Sequence, residues 1–171
     1  MTGKVQKLLT MLFLVTALVS VGCSSKSKKS SGGDSPNVSA SSDGADYPLE
    51  LNGDSDSNTA GQLTTVYFAY DSSRLSGSTR ASLNEAAEYL KSNEGVSVQV
   101  EGHCDERGGV QYNLALGQSR AKATQDYLVA LGVDSSRITT ISFGKERPKA
   151  YGHDEDSWSQ NRRANFVITS K

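Results

Sequence analysis

Val96-Ser97-Val98-Gln99-Val100-Glu101-Gly102-His103-Cys104-Asp105-Glu106-Arg107-Gly108-Gly109 is the stretch on which the fold turns. Val96, Val98 and Val100 alternate with Ser97, Gln99 and Glu101, which predicts a strand with one buried face. Gly102 to Gly109 then reads as a glycine-bounded loop with an acid and a base inside it. Beyond the loop, Leu114, Gly117, Ala121, Thr124, Leu128 and Leu131 recur at three- and four-residue spacing, predicting a long helix over about 113–131. Gly132 is its expected C-terminal cap. A strand, a polar loop and a helix in that order put the loop at the end of a sheet, beside a helix N-terminus.

Working outward, Val66-Tyr67-Phe68-Ala69-Tyr70 reads as a strand and Asp71-Ser72-Ser73 as the turn that ends it. Leu83, Ala86, Ala87 and Leu90 predict an amphipathic helix over about 78–93. Downstream, Ile138 to Phe143 reads as a strand, about 157–162 as a short helix, and Ala164 to Thr169 as a final strand. The predicted order is β-α-β-α-β-(α)-β. That pattern predicts an α+β or α/β sandwich, a single mixed sheet of about four strands with helices packed on one face. Connections long enough to hold a helix favour parallel pairing for some strands, and the last strand can run antiparallel. Strand order does not follow from the sequence.

Arg120 lies seven residues after Asn113, nearly two turns, so the two share a face roughly 10 Å apart along the axis. That face is expected beside the Leu114/Ala121 stripe, not inside it. Asp105 in the preceding loop can approach the same helix end, where amide donors and the dipole favour an anion. An acid and a guanidinium so placed can hold a small zwitterion, ammonium to Asp105 and carboxylate to Arg120. Each residue also has a purely structural alternative. Asp105 can close its own loop, and Arg120 can be a surface residue or pair with Glu101 or Asp105. Asp71 can be a turn or helix cap, and Asn161-Arg162-Arg163 a charged strand edge.

Taken in order, Gly102 to Gly108, Tyr112-Asn113, Ala115-Leu116-Gly117 and Arg120-Ala121 resemble the OmpA-like peptidoglycan-binding domain. Ser142-Phe143-Gly144-Lys145-Glu146-Arg147-Pro148, Gly152-His153-Asp154-Glu155 and Asn161-Arg162-Arg163 narrow this to a lipoprotein branch that works with the Tol proteins. The resemblance covers residues 64–169 and implies a ligand: the peptidoglycan stem peptide, read mainly at meso-diaminopimelate. By position it implies that Asp105 accepts the ligand's ammonium, Arg120 holds its carboxylate and Asn113 adds hydrogen bonds. It also implies contacts from Asp71 and from Arg162, with Arg163 the alternative to Arg162. Cys104 departs from the alanine or threonine usual at its position. TolB, and other Tol proteins with it, is the implied partner.

The N-terminus agrees with that resemblance. Lys4 and Lys7 precede an apolar run from Leu8 to Val21 that ends in Ser20-Val21-Gly22-Cys23. This reads as an export signal over 1–22, too short for an ordinary membrane span, and it resembles a bacterial lipobox with Cys23 as the lipidated residue. Ser20 departs from the leucine usual three residues before that cysteine. Ser24 in place of aspartate implies the outer membrane, with the domain in the periplasm. Residues 23–62 read as a lipidated cysteine and a flexible Ser/Gly/Asp-rich tether, and 63–171 as the domain. As a coil the tether spans roughly 30–40 Å.

The chain carries 18 basic and 19 acidic residues, for a net charge of −1. Lys4, Lys7, Lys26, Lys28, Lys29 and six acids lie upstream of residue 63, leaving 13 of each sign in the domain. An even balance with no basic stripe gives no footprint for nucleic acid. No cofactor and no metal is expected, since His103 and His153 are the only histidines. The expected role is a non-enzymatic tether between outer membrane and wall. Two alternatives remain: a wall-binding lipoprotein outside the Tol system, and a periplasmic hydrolase using His103-Cys104.

Overall fold

A computed structural model describes residues 51–171; the expected signal, Cys23 and most of the tether lie outside the described residues. In chain order the elements are β1 (Val66–Tyr67), α1 (Gly77–Ser92), β2 (Ser97–His103) and α2 (Val110–Ala130). A single 3-10 turn, Ser135–Arg137, leads into β3 (Ile138–Gly144), followed by α3 (Glu155–Asn161) and β4 (Arg163–Ser170). The strands form one sheet in the order β1-β4-β2-β3. β2 and β3 pair in parallel across the α2 crossover, and β4 runs antiparallel to both β1 and β2.

The core follows from the alternation. Val98, Val100, Phe166 and Ile168 are fully buried on one face of the sheet, where Leu83, Leu90, Ala121 and Leu128 of α1 and α2 join them in one cluster. Burying each of these large apolar side chains contributes roughly 1.5–3 kcal/mol relative to exposure. Ser76 caps α1 by accepting from the Thr79 amide, and Asp154 caps α3 by accepting from the Ser157 amide. Gly132, at φ +94°, follows the last residues of α2 as expected, with its amide on the Val129 carbonyl and the Val133 amide on the Leu128 carbonyl.

At one point α2 meets β2 backbone to backbone, with no side chain between. A Cβ at Gly102 would fall 1.9 Å from the Gly117 carbonyl oxygen, and one at Gly117 would fall 2.3 Å from Ser142 Oγ. The helix therefore lies directly on the sheet at this point. Asn113, one turn before Gly117, and Arg120, one turn after, are thereby pressed towards the end of β2. Arg120 is consequently fully buried and belongs to the inward stripe, rather than flanking it as the sequence suggested. Leu114 and Leu131, expected in that stripe, are only partly buried.

The folded unit also begins earlier than residue 63. The Asn52 amide donates to the Ile168 carbonyl, the Ile168 amide to Gly53, and the Ser55 amide to Phe166, so this segment lies along the β4 edge that β1 leaves uncovered. Ser55 and Ala60 are buried, and Asp56 accepts from Arg163 Nε at 2.7 Å. Composition marked 51–62 as tether because its residues are small and polar. Their hydrogen bonds to β4 hold them against the sheet instead.

Candidate functional site

At the C-terminal end of β2 the chain turns through 104–109 into α2, leaving a cavity of about 280 Å³. Asp71, Asp105, Asn113 and Arg120 all line it. These are four of the five ligand residues expected from sequence. Arg162, the fifth, is not among the lining residues. Tyr70, Cys104, Arg107, Gly108, Tyr112 and Leu116 complete the wall, and none of them was expected to touch the ligand. Arg107 and Tyr112 were legible as parts of the quoted motifs, but Tyr70 gave no signal of a place in the site, because only the fold brings residue 70 to residue 112.

Arg120 is the fixed charge. Its Nε donates to the Ser72 carbonyl at 2.9 Å, and its terminal nitrogens donate to His103 at 2.7 Å and Ala69 at 3.1 Å. Three of a guanidinium's five N–H groups thus tie the β1 turn to the end of β2. Asn113 does similar work on the loop, donating to the Arg107 carbonyl at 2.8 Å and to Gly109 at 3.2 Å. Asp71 holds a left-handed φ of +51° and accepts from the Tyr112 hydroxyl. A non-glycine residue kept in that region is a small reservoir of strain, of the kind found at binding sites.

Asp105 is the focus of the charge. It is only 4% exposed, yet two arginines reach it. Arg107 donates to Oδ1 from its amide at 3.1 Å and from Nε at 3.2 Å, and to Oδ2 from a terminal nitrogen at 2.6 Å. Arg162 donates to Oδ2 at 3.3 Å from behind, and also to the Phe68 carbonyl and Glu155. Burial raises the Asp105 pKa, but the Arg107 and Arg162 hydrogen bonds outweigh it and hold the carboxyl below its ordinary range. Arg163 takes no part here; it pairs with Asp56.

The His103-Cys104 pair does not form a nucleophile and base. Cys104 donates through Sγ to the Asn113 carbonyl at 3.3 Å. Burial pushes its thiol pKa up, the reverse of what thiolate chemistry requires. The His103 ring stacks on Phe143, with centroids 5.7 Å apart. Its Nε2 is 3.4 Å from Glu101 Oε2, but neither ring nitrogen makes a hydrogen bond. Among the described residues no cluster of three metal-ligating side chains occurs, and no helix is long and apolar enough to cross a membrane.

One mixed sheet under two helices, with an acid–arginine cavity at the β2–α2 junction, defines a class. The OmpA family model matches residues 67–162, and the chain belongs to that family. Within it, the chain is similar to the peptidoglycan-associated lipoproteins. It is 47% identical over 152 residues to the one from Pseudomonas aeruginosa, covering 85% of this chain and 87% of that protein. The crystal structure of the peptidoglycan-associated lipoprotein from Burkholderia pseudomallei matches with a TM-score of 0.59 at 47% identity, over 61% of this chain and 88% of that one. The cell wall anchor of the Pseudomonas aeruginosa T6SS matches with a TM-score of 0.55 at 27% identity, over 63% of this chain and 80% of that one.

Proposed function

We propose that this protein is a non-enzymatic tether, an outer-membrane lipoprotein anchored at Cys23 whose periplasmic domain grips the stem peptide of peptidoglycan. The observation that carries the proposal is the convergence of Asp105 and Arg120 on one cavity with Asp71 and Asn113. Membership in a family whose relatives are named for peptidoglycan supports it. Meso-diaminopimelate ends in an ammonium and a carboxylate on one carbon, which suits an acid and a guanidinium held at fixed spacing. Asp105 takes the ammonium, Arg120 offers its charge to the carboxylate, and Asn113 and Asp71 shape the walls. Arg162 acts on the ligand through Asp105, which it braces.

Such a site has no need of high affinity. The wall repeats the same peptide, and a lipid anchor confines the domain beside it, so effective concentration does much of the holding. The loop resemblance extends the proposal to TolB, which would compete for a surface overlapping the cavity. Recovery of TolB from detergent extracts separates this from a wall-binding lipoprotein outside the Tol system.

Calorimetric titration with a diaminopimelate muropeptide and its lysine analogue tests the site. The lysine form lacks the second carboxylate and should bind more weakly. Asp105→Asn should cost about 1.5–3 kcal/mol of binding, the worth of a charged hydrogen bond. Equal affinity for both peptides, or an unaffected Asp105→Asn, would overturn the assignment.

A further inference from the structure

Arg107 is held more firmly than an exposed arginine needs to be. Its guanidinium carbon lies 4.0 Å from the Tyr70 ring centroid and 4.0 Å from that of Trp158, so the plane is sandwiched between two aromatic rings. Trp158 is fixed in turn, its Nε1 donating to Glu106 Oε1 at 2.8 Å. Glu106 is also held by His153 Nδ1, at 2.7 Å from Oε1. Within the sandwich Arg107 covers both oxygens of Asp105. The carboxylate that should receive a ligand's ammonium is therefore already occupied, by a side chain that is itself 30% exposed. Arg120, by contrast, has no exposed surface.

Resting on the function proposed above, we infer that Arg107 sets the selectivity of the cavity by exchange, with Trp158 as its positioning residue. An incoming ammonium displaces Arg107 from Asp105, which breaks one ion pair and makes one. A ligand that carries only an ammonium gains little from that exchange. A ligand that brings a carboxylate beside its ammonium gives the released guanidinium, otherwise left with only the exposed Glu155 at 3.8 Å, a replacement for Asp105, so one pair is replaced by two. Preference for the doubly charged amino acid then comes from the charge count, not from a tight steric fit. The clamp fixes the strength of the competitor: the closer Tyr70 and Trp158 hold Arg107 to Asp105, the worse a singly charged ligand fares.

The test uses the full-length chain in detergent micelles and two muramyl tripeptides, one ending in meso-diaminopimelate and one in lysine. Trp158 is the only tryptophan, so its emission reports on the cation against its face. The wild-type protein should prefer the diaminopimelate form and change its emission on binding it. Arg107→Ala should weaken that form by about tenfold, the scale of one lost charged contact, and tighten the lysine form. The emission response should disappear. By calorimetry, Trp158→Ala should narrow the preference while Trp158→Phe, which keeps a ring over Arg107, retains most of it. An Arg107→Ala protein with the wild-type ratio of affinities would overturn the exchange and leave the tether intact. A wild-type protein that binds neither tripeptide would overturn the tether itself, and the exchange with it.

Discussion

His103 shows how a single side chain ties this domain to pH. It is 1% exposed, and burial lowers its pKa below the ordinary 6.5, with Glu101 opposing only in part. The Arg163 guanidinium also lowers it, and Asp56 raises it slightly. A group with a lower pKa in the folded state binds fewer protons there, so acid favours unfolding. Its contribution is complete above the unfolded value and drains as pH falls from about 6.5 towards the folded one. Exposed His153 works the other way, because Glu106 raises its pKa and the benefit is lost as pH rises. Urea midpoints should therefore drop between about pH 7.5 and 5.5. His103→Phe, which keeps the ring against Phe143, should flatten that drop, and His153→Asn should steepen it. A slope that His103→Phe leaves unaltered would show that another group titrates. Its ring stacks on Phe143 of β3, a neighbour that only the β2–β3 pairing reveals.

Among the elements, the Gly102–Gly117 contact does most to place the site. Gly102→Ala would drive a methyl into the Gly117 carbonyl, with the backbone as its nearest neighbour and no flexible side chain to give way. The expected loss is about 3 kcal/mol, the upper end of overpacking costs, measured by urea denaturation. Gly77→Ala, which meets nothing within 4 Å, is the control and should be neutral or stabilising by about 0.5 kcal/mol. A Gly102→Ala protein as stable as that control would mean that α2 can lift off β2 at no cost. Element identity was legible in the sequence because period two and period three-to-four patterns survive in Val96–Val100 and in Leu83–Leu90. The boundaries moved both ways: α2 begins at Val110 and β2 continues through His103, whereas the strand expected over Val66–Tyr70 shortens to Val66–Tyr67. Arg120 was misplaced because periodicity reads apolar residues, and a buried cation satisfied by three carbonyls mimics a surface one.

For the whole molecule, the instructive error is where the domain starts. Asp56 accepts from Thr65 and from Arg163, and those bonds, with Lys149 nearby, hold its pKa low against the raising effect of burial. A protein cut to 63–171 strands Arg163, 4% exposed, without its acid. It should be less stable than 51–171 by about 1.5–3 kcal/mol, the worth of a charged hydrogen bond, since the cut also opens Arg163 to water. Thermal or urea unfolding of the two fragments decides the point; equal stability would make residues 51–62 a passive wrapping. Composition hid this segment, since a stretch of serine, asparagine and aspartate reads as solvated chain until it finds a strand edge. The same feature has a mechanical side. If residues 23–50 tether the domain to a membrane as proposed, a taut tether would deliver its load at Leu51, and the bonds Asn52–Ile168, Gly53–Ile168 and Ser55–Phe166 would lie first in line. Traction would strip this selvedge from β4 before it reached the cavity, leaving the grip on the wall intact while the seam beside it opens.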